Sequence, residues 1–194
     1  TNLDTQAFAE TKKLNSYIIR PSTKTEPFID KKLEGIKTGT LLDDKFLDAD
    51  GKSIGGLPFG TSTILCGLPN SGKSIFVEEL VLRLCNNGHK VCYAITEEIF
   101  ATDTARYDLQ IRLKEKSLIL KLDWGTIAGN LFVLDAVAHP ELRDWATFVA
   151  SYKGLVEDEK TSILLMDSMT LLEDSRSQIK FRVLELVRYN QLKG

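Results

Sequence analysis

The sequence predicts an α/β domain: a mostly parallel sheet flanked by helices. Three observations carry that expectation. Strand-like and helix-like segments alternate from Thr61 onward. The strand-like runs are continuously apolar rather than alternating, as expected where helices cover both faces of a sheet. A glycine-rich turn joins the first such run to the first helix.

The elements follow in order. Residues 1–34 are mixed and polar, with Pro21, Pro27 and the pairs Lys12-Lys13 and Lys31-Lys32, and read as an N-terminal extension. Residues 35–194 read as the domain, opening with a turn-rich stretch to residue 60 that holds Asp48-Ala49-Asp50-Gly51 and Gly55-Gly56-Leu57-Pro58. Residues 61–66 (Thr-Ser-Thr-Ile-Leu-Cys) form the first expected strand, closed by Gly67. An amphipathic helix over 74–86 places Ile75, Phe76, Leu80 and Leu84 near one stripe and stops at Gly88. A second strand is expected over 90–96, a helix from Ile99 to about Leu122, and a third strand over 131–134. Pro140 sits well at the first turn of a helix reaching about Val156. Residues 162–167 give a fourth strand and 178–192 a last helix.

Composition sets the outer bounds. Apolar residues at 43% and charged residues at 27% exclude collagen, low-complexity and wholly disordered chains. No run approaches the eighteen or so apolar residues of a membrane helix, so no membrane partner is expected. The opening Thr-Asn-Leu-Asp does not look like a signal peptide. A net charge of −2 gives no overall basic field. Cys66, Cys85 and Cys92 are odd in number, lie among apolar neighbours and form no C-x-x-C pair. They read as buried free thiols in a reducing cytoplasm. His89 and His139 have no ligand spacing to any of them.

The chemistry concentrates at Gly67-Leu68-Pro69-Asn70-Ser71-Gly72-Lys73-Ser74, which matches G-x-x-x-x-G-K-[ST]. Its place between a strand and a helix is the context that motif needs. The glycines let backbone amides turn inward as an anion nest, and the helix start from Lys73 through Ile75 adds partial positive charge. Lys73 would reach the β- and γ-phosphates of a bound ATP, and the Ser74 hydroxyl would ligate Mg²⁺, a hard cation that prefers oxygen. Asp167 ends the apolar run 163–166, where a carboxylate faces the crevice of an open α/β sheet and can hold the Mg²⁺ shell. Asp135, after 131–134, has the same local look and is the weaker competitor. Glu97 and Glu98 follow the second strand. They could orient and deprotonate a water, or simply complement a helix start.

Residues 55–63, the glycine-rich loop, Tyr93-Ala94-Ile95-Thr96-Glu97-Glu98 and Leu164-Leu165-Met166-Asp167-Ser168 together resemble a KaiC-like ATPase of the RecA superfamily of P-loop NTPases. Gly35-Ile36-Lys37-Thr38-Gly39 and residues 130–136 are similar to further segments of that family. The resemblance covers roughly residues 35–194 and implies a RecA-like fold. It implies a catalytic role for Glu97 and Glu98, with Glu98 slightly favoured as the base, and gives Ser168 a part in placing water or metal. It further implies slow Mg²⁺-dependent ATP hydrolysis, coupled to conformational change or oligomer assembly. A homo-oligomer of the hexameric-ring type is expected, and autokinase activity occurs in the family. In RecA-type sheets a further strand would lie beside the loop's strand. The sequence ends where that strand would begin, so the chain is expected to be part of a longer protein, with sensor and arginine-finger residues beyond Gly194.

Two other readings stay open. One is a nucleotide-dependent switch with little turnover. The other is a RadA-paralogue-type DNA recombination or repair ATPase, for which Arg176, Lys180, Arg182 and Arg188 would supply phosphate contacts. Glu173, Asp174 and Glu185 interrupt that basic run, which reads equally as a solvated helix face. Trp124 and Trp145 are expected to pack in the core, while Phe100 and Arg106 stand near enough to the glutamates to meet a base.

Overall fold

The computed structural model describes residues 34–101, 108–169 and 179–193. In chain order the elements are β1 (Gly35–Ile36), β2 (Leu57–Pro58), α1 (Lys73–Asn86), β3 (Val91–Ile95), α2 (Leu109–Ile119), α3 (Trp124–Asn130), β4 (Leu131–Asp135), α4 (Trp145–Asp158), β5 (Ile163–Asp167) and α5 (Ile179–Lys193). Short 3₁₀ turns occupy Leu41–Asp44 and Pro140–Arg143.

Three apolar runs make the main sheet, in the order β4-β3-β5 with both pairings parallel. Every residue of the central strand β3 is buried. Its side chains alternate between two cores, as the pleat requires. Val91, Tyr93 and Ile95 face Leu80, Leu84, Leu109, Leu113 and Ile127 of α1, α2 and α3. Cys92 and Ala94 face Trp145, Phe148 and Tyr152 of α4 and Leu186 of α5. The sheet is therefore covered on both faces, which is the expected mixed α/β architecture. Both tryptophans pack as expected: Trp124 against the first core, and Trp145 in the second, stacked on Phe148.

Register sets the site. Ile95 pairs with Asp135 on one side and Asp167 on the other. Both carboxylates thus stand at the carboxyl end of the sheet, level with the residue that precedes Thr96, Glu97 and Glu98.

Several expectations need correction. Residues 61–66 are not a strand. Among the described residues no neighbour pairs with them, and a strand without a ladder has unpaired backbone groups and no face to bury. Ile64 is 71% exposed and Leu65 47%. Cys66, at the end of that run, is consequently exposed rather than buried, whereas Cys85 and Cys92 are buried free thiols, both pushed up to about 12 by burial. The helix expected from Ile99 starts at Leu109, where Asp108 accepts from the Ile111 amide as its cap. The helix expected from Pro140 breaks at Asp144. Pro140–Arg143 is a 3₁₀ turn, and Asp144 caps α4 by accepting from the Thr147 amide. Helix α3 and the antiparallel pair β1-β2 were not anticipated. The pair is stitched over a close approach: a Cβ on Gly56 (φ 157°) would fall 2.1 Å from the Ile36 carbonyl oxygen.

Candidate functional site

The glycine-rich loop leads into α1 as expected, but the strand expected before it is not formed. Asn70 (φ 61°) and Gly72 (φ 87°) both adopt the left-handed conformation, which turns successive amides toward one side. Gly72 is the N-cap of α1 and brings no side-chain cap. The first-turn amides of α1 therefore keep the donor capacity that makes a helix start receptive to anions. A Cβ on Gly67 would meet the Ser71 hydroxyl at 2.7 Å, so that position has little room for a side chain. Lys73 bends back over the loop, its Nζ donating to the Gly67 and Leu68 carbonyls at 2.9 and 2.8 Å. The loop is otherwise open to solvent, with Leu68 80% exposed.

Across from the start of α1, the ends of β3 and β5 are laced together. The Thr96 amide donates to the Asp167 carbonyl at 3.2 Å. The Thr96 hydroxyl donates to the Ser168 carbonyl and accepts from the Ser168 amide, each at 3.0 Å. The peptide between Asp167 and Ser168 is cis. This lacing brings the Ser168 hydroxyl to donate to Glu97 Oε1 at 3.0 Å.

Ser74, Glu97, Glu98 and Asp167 line one small cavity of about 20 Å³, with Tyr93 and Leu109 behind them. That volume is room for about one water molecule. Burial raises the Tyr93 hydroxyl well above its usual range, and the nearby charges of Asp167, Glu78 and Glu98 add to the effect, so it stays a neutral phenol. The structure therefore gathers four of the expected site residues. It does not bring the loop residues 67–72 or the Lys73 ammonium to the cavity wall.

The two aspartates at the sheet's end separate clearly. Asp135 is nearly buried and accepts from three backbone amides, those of Phe100, Val137 and Ala138, at 2.8–2.9 Å. It holds the chain that leaves β3 and β4. Asp167 faces the cavity instead. Phe100 is thereby engaged through its backbone and packs on the first core. Arg106 and Arg176 lie outside the described residues. Of the other basic residues, Arg182 stacks on the Trp145 ring, 5.0 Å from its centroid.

One part of the site went unread in the sequence. Glu78 on α1 is buried and meets Arg112 and Lys116 of α2. Arg112 also meets Glu98. Burial disfavours the charged guanidinium, but hydrogen bonds to the two glutamates outweigh it and raise its pKa further. A signal was present: Ser74 and Glu78 are four apart on one helix face, as are Arg112 and Lys116 on another.

Among the described residues no helix is long and apolar enough to cross a membrane, and no group of three His, Cys, Asp or Glu side chains could hold a metal ion. No protein-family model matches the chain, and no curated protein matches it significantly.

Proposed function

We propose that the chain binds Mg²⁺-ATP at the glycine-rich loop and hydrolyses it, as a KaiC-like P-loop NTPase on a RecA-like sheet. One observation carries this reading. A hydroxyl at the start of α1 and three carboxylates from the ends of β3 and β5 line a single cavity beside the loop. The donor set fits Mg²⁺, which usually takes one or two protein oxygens and completes its shell with phosphate and water. Ser74 and Asp167 would hold it. When bound, the ion neutralises charge on the phosphate oxygens.

The chain's own residues do the rest. The Lys73 ammonium moves from the Gly67 and Leu68 carbonyls onto the β- and γ-phosphates. The amides of Leu68 and of Asn70 to Ile75 cradle the phosphate chain, aided by the helix start. The carboxylate pair at the end of β3 orients the attacking water, and Ser168 steadies Glu97. Catalysis of this kind is mostly positioning and charge neutralisation. We further propose a ring-type homo-oligomer whose assembly responds to nucleotide.

The test is binding of a fluorescent ATP analogue with and without Mg²⁺. Tight, Mg²⁺-dependent binding that Lys73→Ala abolishes supports the reading. Binding unchanged in Lys73→Ala would sink it. Turnover that appears only with single-stranded DNA would move the protein toward the recombinase paralogues.

A further inference from the structure

The two glutamates after β3 have different partners. Arg112 Nη2 donates to Glu98 Oε2 at 2.5 Å and to Glu78 Oε1 at 2.7 Å, and its Nε donates to Glu78 Oε1 at 3.1 Å. Glu78 lies on α1 one turn beyond Ser74, with 4% of its side chain exposed. Lys116, one turn beyond Arg112, donates to the Ile75 carbonyl at 2.5 Å and stands 3.4 Å from Glu78 Oε2. Two carboxylates and two cations thus balance in one cluster. Glu78 is the buried member, and losing Arg112 or Lys116 would leave its charge uncompensated, so the Glu78 pairings hold their geometry. Glu98 is tied through Arg112 and Glu78 to the helix that carries Ser74.

Glu97 is placed differently. Its partner is the neutral Ser168 hydroxyl, and among the described residues it makes no ion pair. A general base needs a carboxylate oxygen within reach of the water and not committed elsewhere. Each glutamate has one oxygen engaged, Glu97 by the neutral Ser168 hydroxyl and Glu98 by the Arg112 guanidinium, so Glu98 alone is tied into the charged cluster on α1 and α2.

Resting on the ATPase reading above, we propose that Arg112 is a positioning residue that divides the work of the pair. It fixes Glu98 as a strut between the β3 end and α1, and so leaves Glu97 as the proton acceptor. In the step, the water oxygen forms a bond to the γ-phosphorus. The bond from that phosphorus to the β,γ-bridging oxygen breaks, and its electron pair leaves with ADP. The water's proton passes to the Glu97 carboxylate and from there to solvent. Arg112 touches neither water nor phosphate; it sets where Glu98 stands and how the loop after β3 meets α1.

The experiment compares Glu97→Gln, Glu98→Gln, Arg112→Gln and Arg112→Lys with the parent protein. It reads kcat for ATP, affinity for a fluorescent ATP analogue, and Tm. Glu97→Gln is expected to lower kcat by about a hundredfold or more while nucleotide still binds. Glu98→Gln and Arg112→Gln are each expected to lower kcat by about tenfold with affinity retained. Their double variant should lose no more than the worse single, because the two act as one unit. Arg112→Lys should recover part of the loss. A Glu98→Gln loss as deep as that of Glu97→Gln overturns the division of labour. So does an Arg112→Gln protein whose Tm falls but whose kcat per folded molecule equals the parent's. Should Arg112→Gln fail to fold, Arg112→Lys and the two glutamate variants decide. A parent that binds ATP without turnover overturns the ATPase reading and this inference together. A parent that turns over with the wrong variant pattern overturns this inference alone.

Discussion

Asp135 and Asp167 look alike in the sequence, each closing an apolar run, and the structure gives them different work. Asp135→Ala leaves three part-buried amides without their acceptor, so it should cost about 1–3 kcal/mol in a urea titration. Asp167→Ala should leave the urea midpoint close to the parent's and abolish the Mg²⁺ dependence of nucleotide binding. An Asp167 variant that unfolds like the Asp135 one would place both residues in the scaffold. At this scale the candidate site was legible wherever chemistry dictates a local pattern. Lys73 and Ser74 follow from the loop motif, and Asp167, Glu97 and Glu98 from their places at strand ends. Arg112 and Glu78 were not legible, because the bond between them joins two helices 34 positions apart. The proposed division of labour makes Glu97 the base, where the family resemblance slightly favours Glu98.

Three of the helices begin at carboxylates. Asp108, Asp123 and Asp144 cap α2, α3 and α4 by accepting from the amide three residues on. The Asp144 carboxyl is held below its ordinary range by the Thr147 amide and hydroxyl. A depressed carboxylate pKa stabilises the fold above the unfolded value of 3.8 and loses that contribution as pH falls through the lower folded value. Asp144→Ala should therefore lower Tm by a few degrees at neutral pH. The gap to the parent should close on acidification below about pH 3.8. A gap that is constant down to pH 2 would show the loss to be one of packing. The same cap explains why one expected helix became a 3₁₀ turn followed by α4. Pro140 can start a helix, but Asp144, in extended conformation (φ −65°, ψ 126°), restarts it. The positions of β3, β4 and β5 were easier to read than helix starts, since buried parallel strands leave uninterrupted apolar runs while a cap is a single residue.

Over the whole molecule, stability is concentrated around β3, whose five residues are buried between two apolar cores. Hydrogen exchange should find the β3 amides at least about a hundredfold slower than those of residues 61–66, which lack a ladder. Equal protection in the two segments would mean that residues 61–66 are paired in solution. The alternation of strands and helices, and so the α/β class, was legible from periodicity. The unpaired state of 61–66 was not, because apolarity reports that a segment can be buried but not that a neighbour is there to bury it. Truncating Leu82, fully buried on α1, to Ala should cost about 2–5 kcal/mol. We propose that this scaffold holds a nucleotide against Ser74, Asp167 and the glutamate pair. The most direct measurement is Mg²⁺-dependent ATP hydrolysis by the protein beside Lys73→Ala and Glu97→Gln, with nucleotide binding followed in each. The expected result is turnover in the parent, loss of binding and turnover in Lys73→Ala, and retained binding without turnover in Glu97→Gln. Turnover that survives either substitution would contradict it.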